Sequence, residues 1–220
     1  MLYIVPTPIG NLKDITLRAI EVLKQVDYIF CEDTRRTKVL LDYYDIKNKK
    51  LISYFSPYEE RKIPQILEIL KKYDAVLVVD AGMPLISDPG YKLIKVCLEN
   101  NIKIIVLPGP SAFLTALVGS GLPTDKFLFL GFLPKKGIKN YLAKYKNFDG
   151  TIIFYDSPYR FKKNLNFIKE IYPRAYIVIA REISKIYEEY QRGFIDEIIS
   201  ILKEKPIKGE ITIILRNNFK

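Results

Sequence analysis

The segment CEDTRRT, residues 31–37, sets two acids, two arginines and hydroxyls in one short run directly after a predicted strand. Such a stock binds and orients a polar substrate. The same residues suit a helix start, with Asp33 or Thr34 capping a helix over residues 35–43 and acids favoured in its first turn. Pattern alone leaves both readings open. YDSPYRF (155–161) and AREISKIYEE (180–189) likewise place Arg160, Arg181, Glu182 and Lys185 just past strand ends. For Arg181 and Glu182 the alternative is a surface ion pair, which contributes little. The chain contains no histidine, which removes Ser-His-Asp and Cys-His nucleophile chemistry and the commonest transition-metal ligand. Any acid or base is therefore Asp, Glu, Lys, Tyr or Cys. Cys31 and Cys97 lie in no CxxC or CxxH spacing, so no metal is expected and both fit small core residues in a reducing compartment.

Three other predicted strands release into Pro/Gly loops. PTPIGN follows residues 2–5, DAGMPLISDPG follows 75–79, and PGPSA follows 103–107. Backbone of this kind approaches a ligand closely without side-chain obstruction. None of the three is GxGxxG, and no GxxxxGK[ST] occurs, so neither a dinucleotide fold nor a P-loop is indicated.

The elements that must position these loops alternate. Runs 2–5, 27–31, 50–54, 75–79 and 103–107 read as strands, and Leu17, Ile20, Leu23 and Ile63, Ile66, Leu70 follow helical spacing. Strand–helix alternation predicts a mostly parallel sheet with helices on both faces, whose ligands lie beyond the strands' carboxyl ends. The Gly/Pro stretch 118–123 marks a boundary between an N-terminal α/β domain, 1–117, and a C-terminal one, 118–220. The second half reads as a mixed or antiparallel sheet from 127–132, 151–155, 175–180, 185–192 and 210–215, the last closing the sheet, with helices near 138–146, 160–170 and 195–204. A chain of 220 residues, 49% hydrophobic and 27% charged, has the composition of a globular protein. No segment reads as a signal peptide or membrane span, so a cytoplasmic location is expected.

Charge is uneven. Residues 1–115 carry 16 Lys/Arg against 14 Asp/Glu and residues 116–220 carry 19 against 11, so the +10 total divides into +2 and +8. Between Lys126 and Lys169 ten basic residues meet only Asp149 and Asp156. Lys135, Lys136 and Lys139 are the candidates there for a polyanion, and solvated surface lysines are the plain alternative.

Taken in order, YIVPTPIGNLKDITLRAIEVL, EDTRRTKVLL, DAGMPLISDPG, PGPSA, SGLPTDKFLFLGFLPKKG, IIFYDSPYRF, AREISKIYEE and KGEITIIL resemble the ribosomal RNA small subunit methyltransferase I family of the tetrapyrrole-methylase superfamily. The likeness spans almost the whole chain. It implies a two-domain α/β homodimer that binds S-adenosylmethionine in a cleft between its domains and methylates the ribose 2′-oxygen of a cytidine in 16S ribosomal RNA. By motif match, Pro8, Ile9, Gly10, Asp80, Ala81, Gly82, Ser111, Ala112 and Tyr155 would hold the cofactor. Glu32, Thr34, Arg35, Arg160 and Arg181 would face the substrate, and Asp33, Glu182 or Lys185 would take the ribose proton. The carboxylates rank first because they are already basic at neutral pH.

The chain departs from the family pattern at Arg36 and Tyr159, where histidine is expected, at Met83 in place of threonine, and through SYFSPYEER at 53–61. Without the carboxy-terminal extension that many members carry, any RNA grip supplied by that extension would be expected to come from elsewhere, and the basic stretch from Lys126 to Lys169 is the candidate. Two other functions share these features: methylation of a tetrapyrrole or other small molecule, and a non-catalytic RNA-binding module.

Overall fold

Local signals start the helices where the sequence places them. Thr16 accepts a hydrogen bond from the Ala19 amide (3.1 Å) to cap helix α1 (Leu17–Gln25), and Asp33 accepts from the Arg35 amide (2.8 Å) to cap α2 (Thr34–Tyr43). The computed structural model describes residues 1–56, 58–204 and 207–219, so Pro57 of the SYFSPYEER segment lies outside the described residues. These residues divide into two units, Met1–Ser111 and Ala112–Lys220.

In the first unit, strands β1 (Leu2–Ile4), β2 (Tyr28–Cys31), β3 (Lys50–Ser53), β4 (Ala75–Val78) and β5 (Ile104–Val106) pair in the order β3-β2-β4-β1-β5, all parallel. Successive side chains point to opposite faces. Tyr3, Val5, Ile29 and Val76 bury against α1 and α2, whereas Leu2, Ile4, Phe30 and Leu77 bury against α3 (Glu59–Leu70) and α4 (Tyr91–Glu99). Because both faces are covered, the inner strands β1, β2 and β4 are apolar, whereas the edge strand β3 carries Lys50 and Ser53. Cys31 and Cys97 are buried free thiols, each pushed up to about 11 by burial.

The second unit opens with α5 (Ala112–Ser120) and contains β6 (Phe127–Phe132), α6 (Ile138–Ala143), β7 (Thr151–Asp156), α7 (Pro158–Ile171), β8 (Tyr176–Arg181), β9 (Glu189–Phe194), α8 (Ile195–Glu204) and β10 (Ile211–Arg216). The sheet order is β6-β7-β10-β8-β9, with β6 and β7 parallel and every other pair antiparallel. One face packs on α6, α7 and α8 through Ile152, Phe154, Ile177 and Ile213.

Three sequence expectations change here. The run 210–215 lies at the centre of its sheet and does not close it, because Ile211 to Leu215 are buried on both faces. The strand expected at 185–192 begins only at Glu189, since Glu182 (φ 50°) and Ser184 (φ 65°) turn the chain through left-handed conformations first. The 118–123 stretch ends a helix that belongs wholly to the second unit. Gly119 sits inside that helix because a Cβ there would lie 2.6 Å from the Tyr190 ring.

Candidate active site and basic face

Parallel pairing sends the chains leaving β2, β4, β1 and β5 out of one edge of the first sheet. Thr7 and Gly82 exchange backbone hydrogen bonds (Thr7 N to Gly82 O 3.0 Å, Gly82 N to Thr7 O 2.9 Å), and the Thr7 hydroxyl donates to the Val79 carbonyl at 2.9 Å. Gly82 has φ +83°, a conformation natural to glycine, and a Cβ there would stand 3.4 Å from Ile9 Cγ2. A Cβ on Gly109 would lie 2.8 Å from Pro6 Cβ. The three Pro/Gly turns thus touch one another, bringing Pro8, Ile9 and Gly10 together with Asp80, Ala81 and Gly82, with Ser111 closing the PGPSA turn and Ala112 opening α5.

Acids gather on the same edge. The Asp33 amide donates to Asp80 Oδ1 (3.1 Å), the Asp80 amide reaches Glu32 Oε2 at 3.5 Å, and Arg36 Nε stands 3.4 Å from Asp80 Oδ2. Arg36, where relatives were expected to carry histidine, therefore serves as a counter-charge. Burial and the Asp80 charge push the Glu32 carboxyl up, and burial pushes Asp80 up against the pull of Arg36. Asp88, half-buried in the loop from Asp80 to Gly90, is pushed to about 7 by burial and by the charges of Glu32 and Asp80. Sequence reasoning passed over Asp88. Its SDPG context looked like one more turn, and the carboxylates that raise it are distant in sequence. Among the described residues, no group of three or more His, Cys, Asp or Glu could hold a metal ion.

The expected proton acceptors stand differently. Asp33 caps α2 and holds the exposed Arg35 guanidinium at 2.6 and 3.0 Å, which keeps its carboxyl well below the usual range. Thr34 is the first residue of that helix. The helix-cap reading of this segment is the one its geometry realises. In the second unit, Glu182 Oε1 accepts from the Glu210 amide (2.8 Å) and from Lys185 Nζ (3.0 Å), while Lys185 also reaches Glu210 Oε2 at 2.9 Å. These bonds pull Glu182 below the ordinary range, and its acid partners hold Lys185 above it despite burial. The pair fastens the end of β8 to the start of β10. A stabilised carboxylate and a stabilised ammonium are both poor proton acceptors near neutral pH, whereas residue type alone ranks the carboxylates first.

Arg181 pairs with Glu189 across the β8–β9 hairpin (3.0 Å). Arg160 turns inward: its Nη2 donates to the carbonyls of Leu133 (2.6 Å) and Pro134 (3.0 Å), and its Nε lies 3.2 Å from Asp156 Oδ1. Arg160, expected to face the substrate, positions the loop carrying Lys135 and Lys136 through these bonds. Lys139 pairs with Glu170 at 2.5 Å. Lys135 and Lys136 are exposed, and no ion pair among the described residues involves them. Tyr155 packs edge-on against Phe129 (5.0 Å). Tyr159, at the other expected histidine position, is exposed beneath Lys163 Nζ at 4.2 Å from its ring.

Asp156 sits with no side-chain exposure, and burial pushes its carboxyl up in spite of Arg160. Such a pair adds little by itself, yet breaking it strands the partner charge. Asp156→Ala is expected to destabilise the second unit by about 2 to 3 kcal/mol, discounted because Arg160 can partly reach water. Urea unfolding checks this; an unchanged midpoint would show that the pair holds nothing.

A family profile described as Tetrapyrrole (Corrin/Porphyrin) Methylases matches residues 1–199. The ribosomal RNA small subunit methyltransferase I of Hydrogenobaculum sp. (strain Y04AAS1) is 51% identical over 217 residues, covering 97% of this chain and 94% of the relative. The Thermotoga maritima protein of the same name is 46% identical, covering 97% of each. Among solved structures, diphthine synthase superposes with a TM-score of 0.74 at 18% identity, covering 97% of this chain and 89% of that one. Uroporphyrin-III C-methyl transferase from Thermus thermophilus, complexed with S-adenyl homocysteine, gives 0.68 at 17%, covering 97% and 96%. At these identities the structural likeness establishes the fold.

Proposed function

The chain belongs to the tetrapyrrole (corrin/porphyrin) methylase family, among the ribosomal RNA small subunit methyltransferase I proteins, and we propose that it methylates small-subunit ribosomal RNA. The cofactor is S-adenosylmethionine and the acceptor is the ribose 2′-oxygen of a cytidine. The observation that carries this reading is the convergence of three Pro/Gly turns beside a cluster of carboxylates whose mutual repulsion a cationic ligand would relieve. The turns around Pro8, Ile9, Gly10, Ala81, Gly82 and Ser111 fit an adenosyl ligand approached by bare backbone. Asp80, Glu32 and Asp88 fit its positive charge.

When bound, S-adenosylmethionine supplies an electrophilic methyl group on a sulfonium. The protein's own part is to align the attacking oxygen and to accept its proton. Asp88 is the acceptor in this reading, because its carboxyl titrates near neutral pH whereas Asp33, Glu182 and Lys185 are held far from it. A homodimer belongs to the same reading; Leu114 and Val118, exposed one turn apart on α5, are apolar surface that an interface would cover.

Transfer of labelled methyl to stripped small ribosomal subunits, compared with free porphyrinoids, tests the function. Label on the porphyrinoid alone would replace RNA with a small molecule, and binding of RNA without any transfer would leave a non-catalytic module.

The RNA grip carries its own prediction. Lys135→Glu with Lys136→Glu should weaken RNA binding and flatten its dependence on salt by about two phosphate contacts, leaving cofactor affinity intact. Lys139→Glu should act less on RNA, because Lys139 already neutralises Glu170. Equal effects at all three positions in a salt titration would remove this distinction.

A further inference from the structure

Strand β6 contains a β-bulge that re-aims one side chain. Phe127, Leu128 and Phe129 pair with Thr151, Ile152 and Ile153, but Phe132 pairs with Tyr155, so one extra residue is inserted between Phe129 and Phe132. Gly131 lies there at φ +63°. In an unbroken strand, Phe132 would have opposite parity to Phe129 and point to the α6–α7 face. The bulge turns it to the other face, alongside Phe129 and Tyr155. Ring contacts confirm the result: Phe113 of α5 stacks on Phe129 at 4.3 Å and 17°, Phe129 meets Tyr155 at 5.0 Å, and Tyr155 meets Phe132 at 5.2 Å.

The row ends in the open. Phe132 is 61% exposed, although the strand's ordinary geometry would have pointed it to the face where the core packs. Lys135 and Lys136 follow it in a loop that Arg160 fastens through the Leu133 and Pro134 carbonyls. An exposed aromatic ring backed by another ring, on a fixed support followed by two exposed lysines that form no ion pair among the described residues, matches what an unstacked nucleobase and its flanking phosphates require.

We propose that Phe132 is a stacking platform for an unpaired base of the RNA substrate, with Lys135 and Lys136 taking adjacent phosphates. This rests on the RNA reading above and extends it to a named contact. Phe132 stands outside the core of the second unit, so its truncation removes only the ring contact with Tyr155.

The test measures binding of a short unstructured oligoribonucleotide carrying a fluorescent purine analogue, across a salt series, together with S-adenosylmethionine affinity by calorimetry. Phe132→Ala should weaken RNA binding by about 5- to 150-fold, the range for loss of one base–aromatic stack. Phe132→Trp should restore both affinity and quenching of the analogue. Phe132→Leu, apolar but without a ring, should not. The salt slope should stay at its wild-type value in all three, because the phosphate contacts remain. Wild-type affinity in Phe132→Ala, full rescue by Leu, or a loss confined to S-adenosylmethionine would each overturn the platform. Failure of the wild-type chain to bind RNA would instead overturn the RNA reading itself.

Discussion

Gly109→Val weakens S-adenosylmethionine binding by roughly 5- to 150-fold while the secondary structure persists, the scale of the ~1 to 3 kcal/mol that overpacking two touching turns costs. A side chain at Gly109 meets Pro6 Cβ at 2.8 Å and Cγ at 3.0 Å. The proline ring cannot rotate aside, so the PGPSA and PTPIG turns must separate. Gly82→Val reaches the same end by another route. It forces a β-branched residue into φ +83° and strains the paired backbone bonds to Thr7. Gly121→Val is the control, since it carries similar strain at φ +78° with nothing within 4 Å and lies outside the three turns. Calorimetry on all three variants decides: loss at Gly109 and Gly82 with retention at Gly121 supports the seat, and unchanged affinity at Gly109 would falsify it.

Asp88→Asn lowers the single-turnover rate by about a hundred- to ten-thousandfold, the contribution of a positioned general base, with a smaller effect on cofactor affinity. The pH dependence fixes the sign. Burial and the charges of Glu32 and Asp80 favour the neutral carboxyl, so ionisation is delayed from the ordinary carboxylate range to about 7. Only the ionised form accepts a proton, so wild-type kcat/KM, which reports the free enzyme, rises as pH passes through about 7. The limb lies at lower pH in kcat, because the bound sulfonium favours the carboxylate, and the asparagine variant loses it in both. Glu182→Gln is the comparison. Its carboxylate is already ionised and tied to Lys185 and the Glu210 amide, so its loss should loosen the β8–β10 corner and leave the pH limb in place. A pH limb that vanished in Glu182→Gln and survived in Asp88→Asn would return the base to Glu182.

Much of this was legible in the residues alone. Alternating apolar runs and helical spacing marked the parallel strands, because those periodicities arise within a few neighbouring residues. Parallel pairing then required the Pro/Gly loops after residues 5, 79 and 107 to leave one edge, and the structure joins them there. What the sequence could not reveal depends on partners distant along the chain. Lys139 and Arg160 counted as free positive charge until Glu170, Asp156 and two loop carbonyls were brought beside them. Asp88 was an ordinary turn residue until folding buried it near Glu32 and Asp80, and Asp33 was a candidate base until Arg35 closed on it. The central place of β10 and the bulge that turns Phe132 outward are likewise properties of pairing. Local periodicity is encoded by adjacent residues, whereas a side chain's charge state and direction are set by whatever the fold places against it.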